Sequence, residues 1–108
     1  MNASEKVKPK SESVEAKENY SGWTFLTNHT HVLVCLSRDE ALTIRALADK
    51  VGITERSVQR ILAELQADGV ISSRKIGRNN VYEINEGFQL RHPLESHQTL
   101  GQLLGVLK

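Results

Sequence analysis

Apolar and polar residues alternate at helical spacing along the chain from about residue 27. The first such segment predicts a helix that Thr27 or Asn28 caps and that ends in the polar turn 37–40. Its apolar side consists of Val32, Leu33 and Leu36. Short apolar segments separated by turn signals follow one another from residue 23 onward.

Two further helices are predicted on either side of Gly52. Thr43 can cap a short helix over 45–51, and a longer helix over 54–68 starts at a threonine and stops before Gly69. A sharp turn between two helices needs a residue that adopts positive φ, which glycine does without steric cost. The spacing therefore predicts a helix-turn-helix centred on Gly52.

The residues around this glycine are those that two steeply crossing helices must bury. Ala48 is small enough for the next helix to cross closely, and apolar residues fill the other positions of the seam. These other positions are Val51, Ile53, Val58 and Ile61. The match supports the helix-turn-helix assignment.

Beyond Gly69 the pattern changes to that of a β-hairpin over 70–84, with a turn near 77–80. Ile71 and Ile76 lie five residues apart, which places them on opposite faces of a regular strand. We therefore expect a bulge or an irregular end in the first strand.

An amphipathic helix is predicted at the C-terminal end of the sequence, beginning after Pro93 with Ser96 as its cap. Its leucines are Leu100, Leu103, Leu104 and Leu107. They need a partner, which is either the protein's own core or a second copy, and we expect a homodimer through this helix and the first one.

Trp23 and Phe25, which precede the first helix, are expected to pack on the core as a hydrophobic plug.

Together these elements predict a mainly α fold with a small β-hairpin wing, that is, a winged helix-turn-helix with a three-helix core, a wing and an extra C-terminal helix. Residues 1–20 are expected to form a disordered leader, because four Lys and four Glu accompany few apolar residues. The DNA-binding domain is expected over 21–90, and the C-terminal helix for dimerisation over 91–108.

Composition excludes several classes of protein. No run reaches the ~18 apolar residues of a membrane helix, and four of the first ten residues are charged where a signal peptide would be apolar, so we expect a cytoplasmic protein without a membrane partner. A single Cys excludes an internal disulfide and a four-Cys zinc site. His31 and Cys35 are four residues apart, a spacing that could hold a metal ion, but we favour a Cys35 thiol that packs as a small apolar side chain. No catalytic residues, metal or cofactor are expected.

Charge is segregated, although the net charge is only +1. The hairpin carries basic residues and no acidic residue over 70–82, and on the third helix Arg56 and Arg60 repeat one sign at i, i+4, which indicates an anionic partner. Arg and Gln side chains suit base edges, whereas hydroxyls at a helix start and wing cations suit phosphates. The candidate DNA-binding residues are Arg45, Thr54, Arg56, Ser57, Gln59, Arg60, Arg74, Lys75, Arg78, Asn79 and Asn80.

Residues 41–85 resemble the winged helix-turn-helix core of bacterial and archaeal MarR-like and ArsR-like transcription regulators. The segment 54–60 is similar to the start of their recognition helix, and 69–71 to the bend into their wing. The resemblance implies a dimeric operator-binding protein. The helices that flank the core are shorter here than is usual in MarR-like proteins, so no small-molecule effector is assigned.

We therefore expect a sequence-specific regulator that binds double-stranded DNA. Its recognition helix over 54–68 would lie in the major groove, and its wing over 70–84 would lie on the flanking backbone or in the minor groove. The alternative is a winged-helix adaptor that binds proteins and has no specific affinity for DNA, because a fold alone does not determine function.

Overall fold

The computed structural model describes residues 22–108, and the leader predicted over 1–20 lies outside the described residues. The elements in chain order are α1 (Asn28–Arg38), α2 (Ile44–Val51), α3 (Glu55–Ala67), β1 (Ile71–Ile76), β2 (Asn79–Ile84) and α4 (Leu100–Leu107). Three helices, a two-stranded antiparallel hairpin and a further C-terminal helix confirm the predicted winged helix-turn-helix.

A threonine caps each helix of the described region. In every case the threonine has extended backbone angles, and its hydroxyl accepts a hydrogen bond from the backbone N–H three residues later. Such a cap contributes about 1 kcal/mol by satisfying a donor that the helix leaves unpaired. The caps are Thr27, Thr43, Thr54 and Thr99.

Glycines end α2 and α3 in the left-handed conformation. Gly52 has φ +84° and donates its N–H to the Ala48 carbonyl at 2.8 Å, which closes α2 and turns the chain into α3. Gly69 has φ +79° and turns the chain from α3 into the hairpin. Both helix ends lie where the sequence predicts them.

The core lies between the first three helices and the base of the hairpin, and α4 closes one side of it. It has no buried polar or charged side chain among the described residues, so apolar contact provides its stability. Its members are Val32, Leu33, Leu36, Leu47, Ala48, Val51, Val58, Ile61, Leu62, Leu65, Val70, Ile71, Tyr82, Leu100 and Leu104.

The C-terminal helix begins later than predicted, at Leu100 rather than soon after Pro93. Thr99 and Gln102 form a capping box, in which each side chain bonds the backbone N–H of the other residue. The prediction that Ser96 caps this helix was wrong, because the Ser96 hydroxyl donates back to the Pro93 carbonyl within a run of turns.

Two of the four leucines of α4 belong to the protein's own core. Leu100 and Leu104 are buried there, whereas Leu103 and Leu107 are only half-buried. The helix is fastened at both ends, since the Leu100 N–H donates to the Phe88 carbonyl and the Arg38 guanidinium donates to the Leu107 carbonyl. The predicted apolar face is therefore largely covered without a second copy.

The hairpin is regular, and the predicted bulge is absent. Its register runs without interruption from Ile71 opposite Ile84 to Ile76 opposite Asn79, with a two-residue loop at 77–78. The prediction was wrong because it assumed that both isoleucines of β1 face the core, whereas the side chain of Ile76 is 53% exposed.

The outer edge of β2 is tied to the loop between α1 and α2. The Tyr82 N–H donates to the Glu40 carbonyl at 3.1 Å, and the Tyr82 ring lies in the core. This bond holds the hairpin beside the start of α2, which positions the basic tip of the wing.

Trp23 and Phe25 do not plug the core, contrary to the sequence-based expectation. They are 76% and 90% exposed, and their rings contact each other edge to face with centroids 4.8 Å apart. The core is already filled by the helices and the hairpin base, so the two aromatic rings remain at the surface. None of the helices within 22–108 is long and apolar enough to span a membrane.

Gly69→Ala and Gly105→Ala should change stability in opposite directions. An added Cβ meets no atom within 4 Å at either position, so only the backbone differs. We expect Gly69→Ala to cost about 1–2 kcal/mol because φ is positive there, and Gly105→Ala to add about 0.5–1 kcal/mol within α4. Urea unfolding measures both, and equal signs would contradict the described backbone.

Candidate nucleic-acid interface

The exposed face of α3 is the first part of the candidate interface. Four apolar residues anchor the opposite side of the helix in the core, namely Val58, Ile61, Leu62 and Leu65. Because successive residues rotate by 100°, the burial of that side fixes the exposed side. It presents Arg56, Gln59, Arg60, Ala63 and Ala67 to solvent.

The hydroxyl groups at the start of α3 are engaged with each other. The Thr54 hydroxyl accepts from the Ser57 N–H at 3.0 Å and donates to the Ser57 hydroxyl at 2.9 Å. The Ser57 hydroxyl therefore keeps its proton for an external acceptor, whereas Thr54 uses its proton within the cap. Of the two predicted phosphate contacts, Ser57 is the better placed.

Arg60 has an acidic neighbour that the sequence analysis overlooked. Glu64, one turn later, lies 3.5 Å from the Arg60 guanidinium and 2.7 Å from the imidazole of His29 on α1. The i, i+4 spacing of Arg60 and Glu64 is visible in the sequence. The repeated positive charge of Arg56 and Arg60 is therefore weaker support for an anionic partner than it first suggested.

The contact with His29 changes the acidity of Glu64. The hydrogen bond from the imidazole is the largest cause that holds the pKa of the Glu64 carboxyl below its ordinary value, and the charge of Arg60 acts in the same direction. The carboxylate therefore stays ionised to a lower pH than that of an ordinary Glu, beside a helix face that carries two arginines.

The wing exposes its cations on two opposite faces. Successive residues of a strand point to opposite sides, so Arg74 and Lys75 face different directions. Ser73 shares the face of Lys75, and its hydroxyl accepts a hydrogen bond from Gln66 of α3 at 3.1 Å. Lys75 therefore lies on the side of the wing that adjoins α3, and Arg74 lies on the other side.

The tip of the wing meets the start of α2. Arg45 lines one cleft together with Arg78, Asn79 and Asn80, and a second groove together with the turn between α2 and α3. Among the described residues none of these side chains forms an ion pair. Arg45 thus lies between the wing tip and the beginning of α3.

The predicted residues form two groups, which adjoin where Arg45 lines a groove with Thr54. One group is the exposed face of α3 with its N-terminal hydroxyls, and the other is the wing with Arg45. Gln66 connects them through its bond to Ser73, although the sequence analysis did not single it out. The sequence contained a signal for this residue, because Gln66 follows Gln59 by seven residues and therefore lies on the same flank of α3.

The single cysteine has the environment of a packing residue. Cys35 is half-buried against the core, and burial raises the pKa of its thiol despite the opposing charges of Lys50 and Arg38. A raised thiol pKa disfavours the reactive thiolate. Within residues 22–108 no three His, Cys, Asp or Glu side chains are grouped so that they could hold a metal ion.

Residues 26–72 match a protein-family model described as "Winged helix-turn-helix DNA-binding". The matched segment contains α1, α2 and α3 and reaches the first residues of β1. Comparisons with curated proteins and with solved structures gave no match. The family match supports DNA binding in general, and the MarR-like or ArsR-like subfamily stays a prediction.

Removing the imidazole should raise the pKa of the Glu64 carboxyl. In His29→Ala the carboxylate loses the hydrogen bond that favours its charged form, so its titration moves upward toward the ordinary range. Arg60→Ala should move it in the same direction by less. Carbon-detected NMR titration of the side-chain carboxyl measures both shifts, and an unchanged pKa in His29→Ala would refute the contact.

Proposed function

We propose that the chain, which has a winged helix-turn-helix fold and matches a winged helix-turn-helix DNA-binding family model over residues 26–72, is a transcription regulator that recognises a specific sequence in double-stranded DNA. The observation that carries the proposal is the exposed face of α3, where arginine and glutamine side chains surround two alanines directly opposite the buried side. Arg recognises guanine and Gln recognises adenine through paired hydrogen bonds.

The proposed contact of α3 is with the major groove, which is wide enough for an α-helix. Ala63 and Ala67 lie in the middle of the exposed face and allow the helix to approach the base edges closely. Arg56, Gln59 and Arg60 flank them as the proposed base-reading side chains. Ser57 and Thr54, at the helix start, are proposed to lie beside a phosphate.

The proposed role of the wing is to position the domain along the flanking DNA. Lys75 extends from the face that adjoins α3, and Arg74 extends from the opposite face. At the tip, Arg78, Asn79 and Asn80 adjoin Arg45, so this group is proposed to contact phosphates or the edge of the minor groove. Cations without ion pairs are available for phosphate contact.

The protein is further proposed to act in the cytoplasm, at the nucleoid, without catalysing a reaction and without a cofactor. A winged helix-turn-helix DNA-binding domain is typical of regulators that are not enzymes.

A homodimer is also proposed, because two copies would present two recognition helices to half-sites about 10–10.5 bp apart. Leu100 and Leu104 are used in the core, so the interface would involve the remaining apolar side chains of α4. Of these, Val106 is 83% exposed and Leu103 and Leu107 are half-buried.

Sedimentation velocity at micromolar concentration should therefore show a dimer. Val106→Glu should give a monomer that is still folded by circular dichroism, because the side chain projects from α4 into solvent and the new charge would be buried only in a dimer. Gln98→Glu adds the same charge at an exposed position before this helix begins and serves as the control. A monomeric wild-type protein would remove the dimer from the proposal.

Arg60→Ala and Lys75→Ala should weaken DNA binding in different ways. With a duplex selected by the wild-type protein from a random pool, Arg60→Ala should cost about 1–3 kcal/mol and relax the base preference at one position. Lys75→Ala should weaken all duplexes alike and reduce the slope of log K against log[salt] by about 1.

Lys50→Ala is the matched control for the charge of Lys75. Lys50 adjoins Cys35 and Leu107, on a part of the surface outside both groups of candidate residues, so its removal should leave the salt slope unchanged. If the wild-type protein selects no sequence and binds mixed DNA weakly at both 50 and 200 mM salt, the adaptor alternative is favoured. The exposed pair Trp23 and Phe25 would then be the first surface to test for protein binding.

A further inference from the structure

A carboxylate stands on the flank of the proposed recognition helix, and two side chains hold it there. The Glu64 carboxylate is 2.7 Å from the His29 imidazole, a contact between residues 35 positions apart, and 3.5 Å from the Arg60 guanidinium. All three side chains remain more than one-third exposed, so a bound duplex could reach them.

The two flanks of α3 differ in chemistry. Gln59 and Gln66 lie on the flank that faces the wing, where Gln66 bonds Ser73. Arg60 and Glu64 lie on the flank that faces the start of α1, where His29 is located. A duplex that covered Ala63 and Ala67 would therefore meet Glu64 at its border on the α1 side.

A carboxylate at this border affects phosphates and bases differently. It repels the phosphate backbone, and it partly neutralises the arginine that would otherwise attract any phosphate. An arginine has five N–H donors, so one edge of the guanidinium can stay with Glu64 while another bonds O6 and N7 of a guanine. Pairing with Glu64 thus weakens the attraction of Arg60 to phosphates, which depends on its charge. It leaves the directional hydrogen bonds from Arg60 to a guanine intact.

We propose that Glu64, anchored by His29, is a specificity-determining positioning residue, which holds Arg60 for a base edge and penalises phosphate contact at this flank. This inference rests on the proposed DNA-binding function. The hydrogen bond between Glu64 and His29 supports it, because it fixes the carboxylate beside the Arg60 guanidinium.

Glu64→Gln tests the proposal by removing the charge and keeping the shape. Dissociation constants are measured for the duplex selected by the wild-type protein and for a scrambled duplex of the same composition. We expect the scrambled duplex to bind more tightly and the selected duplex to gain less or to lose affinity. Their affinity ratio should fall by roughly twofold to fivefold, the range of one exposed ion pair.

Glu55→Gln is the matched control, because it removes the same charge from the same helix without contacting Arg60. It should strengthen binding to both duplexes equally and leave the ratio unchanged. In an Arg60→Ala background, Glu64→Gln should no longer change the ratio, since the effect requires the arginine. His29→Ala should lower the ratio in the same direction as Glu64→Gln.

The outcomes separate this inference from the function on which it rests. If the wild-type protein does not distinguish the two duplexes, the proposed function and the role of Glu64 both fail. If the wild-type protein distinguishes them and Glu64→Gln shifts both affinities by the same factor, as Glu55→Gln does, the role of Glu64 is overturned and the proposed function stands. Urea unfolding of each variant ensures that only folded protein is compared.

Discussion

The crossing of α2 and α3 at Gly52 determines where the candidate site lies. The left-handed glycine lets α3 start immediately after α2, and Leu47 and Val58 are then buried between the helices. Once that side of α3 is buried, the helix has only one face left for solvent, and Arg56 and Arg60 must lie on it. The arrangement of the interface thus follows from a turn that itself needs no contact with DNA.

The wing depends on the same core through its base. Tyr82 lies in the core and bonds the Glu40 carbonyl, and Ser73 accepts a hydrogen bond from Gln66 of α3. These contacts tie the hairpin to α3 and to the loop that precedes α2. The contacts involve only the part of the hairpin near the core, and Lys75 and Arg78 lie beyond it with exposed side chains.

Local signals in the sequence were sufficient for the three-helix core, and contacts between distant residues explain most of the errors. Threonine caps and terminal glycines act within one turn, so the limits of α2 and α3 were predictable. The start of α4 was also marked in the sequence, because Thr99 has Gln102 three residues later and Ser96 has no such partner, but the prediction of Ser96 passed over this capping box. Within the candidate site, the pairing of Glu64 with His29 depends on how α1 packs on α3, which the sequence does not show.

The short free part of the hairpin limits how far the wing can reach from the core. Beyond the pair of Ser73 and Tyr82 only three residues of β1 remain before the two-residue loop, which corresponds to about 10 Å of strand. B-DNA rises about 3.4 Å per base pair, so this length spans roughly three base pairs. In the proposed complex with DNA, the free part of the wing would therefore extend the footprint of a domain by about three base pairs on one side of α3.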